Sequence, residues 1–300
     1  MKPRQSRHGD ESRSRGQQER DRHSPPKPGF KRSAVQQTDT QSHDTSRLYG
    51  LLPVLEALRA GHRHLGEITI AEGAHDSRLR ELLELARTAG VPVHRVPRLA
   101  ISRDVSGTHQ GVVARIAAAQ FTDPELLFSR CAAKIGTDSP PLVTVLDGLE
   151  DPRNFGAILR TVECVGGDGV FIPERRAVGL TDVVAKTSAG AVEYVPISRV
   201  TNITRTLDEL KRLGIWTVGT AADAELEYSD WDWTQPSALV LGSEGSGLHR
   251  LVREHCDTLV KIPVLGHIES LNVSVAAGVI LYEALRQRRK SKPSTVVNRS

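Results

Sequence analysis

The sequence predicts an α/β fold built on a parallel sheet that helices cover on both faces. From Leu142 onward, short apolar segments such as LVTVLD, GVFIP, IWTVGTA and ALVLGS alternate with segments of helical period. Continuous apolar strands separated by helices are typical of buried parallel sheets. Ligands of such sheets bind beyond the carboxyl ends of the strands, and glycine-bearing turns follow ALVLG and VKIP. We therefore expect a binding site in the last third of the chain.

The first 47 residues predict a disordered, basic tail. They contain eleven Lys or Arg and six Asp or Glu, a net charge of +5, and four apolar residues. Such a segment cannot bury enough surface to offset the entropy lost on ordering. It is either an electrostatic RNA tether or a solvated tail without consequence. The remaining 29 basic and 30 acidic residues give −1, so contact with nucleic acid must use local patches as well as the tail.

A small α/β module is expected over residues 48–117. Its helices are LYGLLPVLEALRAG and SRLRELLELARTAG, the second with Ser77 as N-cap and Gly90 at its end. EITIAEG, VPVHRV and GVVARIA are its expected strands. Residues 118–140 contain one short helical segment and end at Pro140, the first of two consecutive prolines, which predicts a linker.

Residues 141–300 form the second expected domain, which contains the parallel sheet. VEYVPI and TLVKIP are further expected strands. The expected helices are NFGAILRTVECVG, the segment from Asp182 to Ser188, ITRTLDELKRLG, LHRLVREHC and the segment from Asn272 to Lys290.

Composition excludes several classes of protein. Hydrophobic residues make up 38% and charged residues 25%, as in soluble globular proteins. No apolar run is long enough to span a bilayer, and the first thirty residues lack the apolar segment of a signal peptide. The three cysteines are far apart and the histidines lack ligand spacing, so we expect reduced thiols, no metal and a cytoplasmic protein.

The turn GSEGSG, residues 242–247, is a candidate ligand loop. It lacks the GK[ST] ending of a phosphate loop, and it is not the GxGxxG that follows the first strand of a dinucleotide-binding fold. Glu244 lies in its middle, without a lysine or arginine. The turn therefore favours a neutral or cationic ligand and disfavours a nicotinamide dehydrogenase. The alternative is an ordinary turn between a strand and a helix.

Three segments, DPRNFGAILRTVECVG, LVLGSEGSGL and IPVLGHIESLNVSVAAGVILYEALR, resemble the motifs of the SpoU/TrmH group of RNA ribose 2'-O-methyltransferases. LYGLLPVLEAL and THQGVVARI resemble the L30e-like RNA-binding domain of the RlmB-type subgroup, which methylates a guanosine of 23S rRNA. The resemblance covers roughly residues 48–290. It implies a homodimer and a C-terminal trefoil knot, an exception to the rarity of knots, that binds S-adenosylmethionine.

The resemblance also implies roles for eight residues. The positions that match the catalytic residues of the three motifs are Asn154, Arg160, Glu244, Ser270 and Asn272. The positions that match cofactor contacts, largely through main chain, are Gly242, Ile262 and Leu271. Each polar position has a structural alternative: the two asparagines could be N-caps, Arg160 could pair with Glu163, and Ser270 could be a turn residue.

The implied activity is metal-free 2'-O-methylation of a guanosine ribose in 23S rRNA. The alternatives are a tRNA ribose methyltransferase of the same group, which lacks the L30e-like domain, and a non-catalytic RNA-binding assembly factor. A guanidinium is a poor base, so we expect Arg160 to orient a phosphate while the hydroxyl proton passes to another acceptor or to water. In the small domain, the expected RNA contacts, or else ordinary surface charges, are Arg98, Arg103, His109 and Arg115.

Overall fold

The computed structural model describes residues 45–104, 110–175, 178–267 and 270–291, which belong to one compact unit. Residues 1–44 of the expected tail lie outside this description. So do His109 and the side chain of Arg103. Residues 45–47, assigned above to the tail, instead begin the first strand.

The small domain is a four-stranded sheet in the order β1-β4-β2-β3. Its strands are β1 (Thr45–Tyr49), β2 (Leu65–Ala71), β3 (Val93–Val96) and β4 (Val112–Ala117). Its helices are α1 (Leu51–Ala60), α2 (Ser77–Thr88) and α3 (Arg98–Asp104). The predicted cap of α2 was wrong by one residue, because the Asp76 carboxylate accepts the backbone N–H of Arg78.

The second sheet has seven strands in the order β7-β6-β5-β10-β8-β11-β9, and each described pairing is parallel, which confirms the predicted parallel sheet. The strands are β5 (Leu142–Asp147), β6 (Gly169–Pro173), β7 (Ile197–Val200), β8 (Trp216–Thr220), β9 (Leu226–Glu227), β10 (Ser237–Gly242) and β11 (Thr258–Lys261). Every residue of β5 and β10 is buried, as expected of central strands covered on both faces.

Helices cover both faces of this sheet. They are α4 (Pro124–Ala132), α5 (Pro152–Cys164), α6 (Asp182–Thr187), α7 (Ile203–Arg212), α8 (Arg250–His255) and α9 (Val273–Ser291). Helices α5 and α9 share one apolar cluster with the sheet, through residues such as Phe155 and Ile280. Helices α4, α7 and α8 share the other, through residues such as Leu127, Leu207 and Val252.

Two expectations for irregular segments need revision. VEYVPI is not a strand: residues Ala191–Glu193 form a 3-10 turn, and β7 begins at Ile197. The turn follows Gly190, whose φ of 94° takes the chain out of an extended path. Within the expected linker, α4 packs Leu127 and Cys131 into the core of the second domain, so this stretch is not a bare connection.

The small domain packs against the turn at Ala191–Glu193. Arg63 pairs with Glu193 at 2.6 Å, and both side chains are nearly buried, with 12% and 2% exposed. The hydroxyl of Tyr194 donates to the Glu56 carboxylate at 2.7 Å. Burial raises the pKa of Glu193, although Arg63 opposes this rise. Burial and the Glu56 carboxylate raise the pKa of Tyr194 to about 12.

Candidate active site

A network of side-chain hydrogen bonds links three segments that are far apart in the sequence. The Asn154 amide nitrogen donates to Glu244, and its carbonyl oxygen accepts from the Asn272 amide at 3.1 Å. Ser274 donates its hydroxyl to the same Asn154 oxygen at 3.3 Å and to Asn272 Oδ1 at 2.6 Å. The network fixes the orientation of both amides and leaves Glu244 as an acceptor.

Local capping positions the two asparagines. Asp151 is the N-cap of α5 and accepts from the Arg153 N–H, so Asn154 is not the cap and its amide is available in the first turn. Asn272 does cap α9, because its side-chain oxygen accepts the N–H groups of Ser274 and Val275. The side-chain oxygen of Asn272 therefore caps α9, and its amide nitrogen donates to Asn154.

A cavity of about 350 Å³ opens at the carboxyl edge of the sheet, beyond β8, β10 and β11. This is the edge expected for a ligand in a parallel sheet, and the volume suits a small molecule. Five of the eight predicted site residues line it: Gly242, Glu244, Ile262, Ser270 and Leu271. Leu241, Val260 and Val273 supply an apolar wall.

The cavity depends on a close approach of backbone at Gly242. A Cβ at this position would lie 2.0 Å from the carbonyl carbon of Gly247 and 2.3 Å from Leu248 N. Ser243 and Gly247 exchange two backbone hydrogen bonds, of 3.0 and 3.1 Å, which close the loop between them. Any side chain at Gly242 would displace this loop.

Two cations line the cavity wall. Arg253 of α8 makes a bidentate pair with Asp223, with N···O distances of 2.8 and 3.0 Å. The hydrogen bonds from Arg253 lower the pKa of the Asp223 carboxyl. Lys261, at the end of β11, is the second cation. The cavity thus offers cations on one side and the Glu244 carboxylate in the loop.

Arg160 lies outside the amide network. It is exposed on α5, and among the described residues it makes no ion pair with Glu163. In the small domain, Arg115 pairs with Glu67 at 3.4 Å on the exposed surface, and Arg98 begins α3. The predicted RNA roles of these arginines stay predictions.

Sequence reasoning missed three polar residues near the cavity: Ser274, Asp147 and His249. Ser274 completes the amide network, and its place in the NVS triplet after a predicted cap was the available signal. Asp147 and His249 form a pair: the Asp147 carboxylate accepts the His249 backbone N–H at 2.8 Å and contacts its ring Nδ1 at 3.0 Å. No spacing rule joins two residues 102 positions apart.

The fold, the cavity and the network define an α/β protein with a cavity of small-molecule size beside side-chain amide and carboxylate groups, and comparison with known proteins gives its class. The chain belongs to the SpoU rRNA methylase family. Residues 141–282 match the model of that family, and residues 47–122 match the family described as RNA 2'-O ribose methyltransferase substrate binding.

Particular relatives cover most of the chain. YacO of Bacillus subtilis, a TrmH family protein, is 45% identical over 249 residues, which are 83% of this chain and 98% of that protein. The 23S rRNA (guanosine-2'-O-)-methyltransferase RlmB of Pseudomonas putida is 44% identical over 243 residues, 81% and 97% of the two chains. AviRb of Streptomyces viridochromogenes, a SpoU methyltransferase solved with AdoMet, is similar with a TM-score of 0.65 and 26% identity, covering 83% and 92%.

The residues that the structure describes lack two further features. None of their helices is both long and apolar enough to cross a membrane. They also contain no group of three or more His, Cys, Asp or Glu side chains arranged to hold a metal ion.

Proposed function

We propose that this protein is an S-adenosylmethionine-dependent RNA methyltransferase that modifies the ribose 2'-hydroxyl of a guanosine in 23S rRNA. The observation that carries the proposal is the Asn154–Asn272–Glu244 network beside the cavity, in a chain of this family. The similarity to RlmB supports the guanosine and the 23S rRNA. The enzyme would act in the cytoplasm.

The chemistry of the cavity suits S-adenosylmethionine. The apolar wall of Leu241 and Val260 fits a flat adenine ring, and the loop at residues 243–247 offers backbone donors and acceptors. Arg253 and Lys261 suit an amino-acid carboxylate, and Glu244 suits a sulfonium cation. When bound there, the cofactor supplies an electrophilic methyl group.

The protein's own groups would hold the ribose for in-line attack. Asn154 and Asn272 orient each other, so either amide can fix the ribose without reorganising during the reaction. Ser270, which lines the cavity together with Leu271, would bind a hydroxyl. Arg160 would hold the phosphate next to the ribose, where its planar fork binds two oxygens.

We propose an L30e-like domain that begins at β1 and holds structured RNA, followed by a methyltransferase domain that includes α4. The separate four-stranded sheet of the first domain and the substrate-binding family match over residues 47–122 support this. The C-terminal segment would form the trefoil knot. The cavity is lined both by residues 242–248 and by Val260, Lys261, Ile262, Val264, Ser270, Leu271 and Val273, which supports that proposal.

We also propose a homodimer built on α9. Leu271, Val275 and Tyr282 are 42%, 50% and 53% exposed, and Val275 and Tyr282 are one heptad apart on one face of the helix. An apolar stripe of this kind is typical of a subunit interface. Val275→Asp should reduce the mass measured by light scattering from that of a dimer to that of a monomer.

The test uses the purified protein and S-adenosylmethionine with a tritiated methyl group. We expect label in a 23S rRNA transcript and none in bulk tRNA. Label in tRNA alone would select the tRNA alternative. Binding of the cofactor, seen by calorimetry, without label in either RNA would favour the non-catalytic alternative.

A further inference from the structure

We propose that His249 is the base that accepts the proton of the ribose hydroxyl, and that Asp147 positions it. This inference rests on the proposed function. It supplies an acceptor for the hydroxyl proton, a role that the guanidinium of Arg160 cannot fill because it stays protonated. Histidine is the side chain best suited to accept and release a proton near neutral pH.

The geometry of the pair is that of an oriented histidine. Asp147 is the last residue of β5 and is buried, with 5% of its surface exposed. Its two oxygens contact the backbone N–H and the ring Nδ1 of His249 at 2.8 and 3.0 Å. A carboxylate at Nδ1 selects the tautomer with the proton there, which leaves the Nε2 lone pair free to accept a proton. The His249 side chain is 59% exposed, so RNA can reach it.

The pair lies at the same edge of the sheet as the cavity. Asp147 is paired in register with Gly242, which lines the cavity. The imidazole packs over Gly148, where a Cβ would lie 3.1 Å from His249 Cε1 and 3.9 Å from Ser243 Cβ. Ser243 lines the cavity and precedes Glu244. The ring and the cavity loop are therefore neighbours across a glycine that leaves room for both.

The proposed step combines a proton transfer with a methyl transfer. The hydroxyl proton moves to His249 Nε2, directly or through one water, while the ribose oxygen forms a bond to the methyl carbon. The carbon–sulfur bond breaks, and its electron pair stays on sulfur. The imidazolium is stabilised by Asp147 and later releases the proton to solvent.

The other charged groups on the elements that meet at the ring are Glu150 and Asp151 after β5, Glu244 in the loop, and Arg250, Arg253 and Glu254 on α8. Glu244 is the competing acceptor. It already accepts a hydrogen bond from Asn154, whereas His249 Nε2 has no such bond among the described residues. Substituting each acceptor in turn separates the two possibilities.

The test compares His249→Ala with His255→Ala, which changes the half-buried last residue of α8, whose ring contacts the Leu251 carbonyl. Both variants keep the hydrogen bond from the backbone N–H of residue 249 to the Asp147 carboxylate. We expect H249A to lower kcat about 100-fold, within the usual range for a general base, and to keep the wild-type affinities for cofactor and RNA. The rise of kcat with pH should disappear, and added imidazole should restore part of the rate. H255A should behave as wild type.

The Asp147→Asn variant tests the positioning role of Asp147 independently of methyl transfer. In the nitrogen-15 spectrum of the unloaded protein, we expect the Nδ1–H tautomer of His249 in wild type and a mixture in D147N. Wild-type kcat and pH profile in H249A would overturn the proposal, as would loss of the pH dependence in E244Q but not in H249A. If wild type itself does not methylate RNA, the proposed function fails instead.

Discussion

The side-chain amide of Asn272 donates to the side-chain oxygen of Asn154 at 3.1 Å, and this hydrogen bond joins the start of α9 to the first turn of α5. The two residues are 118 positions apart, yet each was singled out from its own motif. Asn272 also caps α9, so this structural role must be separated by experiment from the catalytic role that we propose.

Asn272→Ser separates these roles, because serine caps a helix but has no amide. We expect the free energy of unfolding to change by less than about 1 kcal/mol. The rate of methyl transfer should fall about 100-fold, since a small misplacement of a reacting group has an effect of this size. Asn202→Ser, at the cap of α7, is the matched control and should keep full activity. Equal activities in the two variants would contradict the role of the amide.

Gly242→Ala should abolish cofactor binding. The added methyl group would lie 2.0 Å from the backbone of Gly247, so the cavity loop must move. We expect a loss of about 1–3 kcal/mol in unfolding free energy, as for other overpacked sites, and no heat on calorimetric titration with S-adenosylmethionine. Gly66→Ala, where a Cβ meets only an ordinary contact at 3.9 Å, should bind normally. Normal binding by G242A would refute the assigned cavity.

We expect the Arg160→Lys variant to lose methyl-transfer activity although it keeps the positive charge. A lysine cannot bind two phosphate oxygens with a planar fork, so we expect the labelled-cofactor assay to show a rate at least about tenfold lower. Cofactor affinity should be unchanged, because Arg160 does not line the cavity. Arg205→Lys, an exposed arginine in the first turn of α7, is the control. A near wild-type rate in R160K would reject the phosphate role.

We expect the Arg63–Glu193 pair to stabilise the contact between the small domain and the turn at Ala191–Glu193, mainly because each buried charge has a partner of opposite charge. Arg63→Met strands a carboxylate that is 2% exposed, and we expect a loss of about 3–5 kcal/mol in urea unfolding. The double variant R63M/E193L removes both charges and should recover most of this loss. A double variant no more stable than R63M would show that the charges are not coupled.

Alkaline pH should weaken the same contact through Tyr194. Its pKa is raised from 10.0 to about 12, so the unfolded chain ionises first as the pH rises. The stability that Tyr194 contributes is therefore fully present below pH 10 and is lost as the pH rises through about 12. Urea midpoints measured between these pH values should fall more steeply in wild type than in Y194F. Parallel curves would contradict the raised pKa.

The sequence predicted the parallel sheet and the cavity edge because buried strands and glycine turns leave local signals. It also placed Gly242, Ile262 and Leu271, which the motifs identify and the structure brings to one cavity. It missed β1, whose polar residues Thr45, Ser46 and Arg47 carry no strand pattern, although they pair with β4. The contacts of Asp147 with His249 and of Arg63 with Glu193 depend on tertiary packing, which no local periodicity records.

The central claim is that the network beside the cavity directs a methyl group to a ribose oxygen. Mass spectrometry of nuclease-digested 23S rRNA, after incubation with the protein and S-adenosylmethionine carrying a deuterated methyl group, tests it most directly. We predict one labelled product, 2'-O-methylguanosine, which is absent when Asn154→Ala replaces the wild type. Label on a base, or label that persists in N154A, would contradict the account.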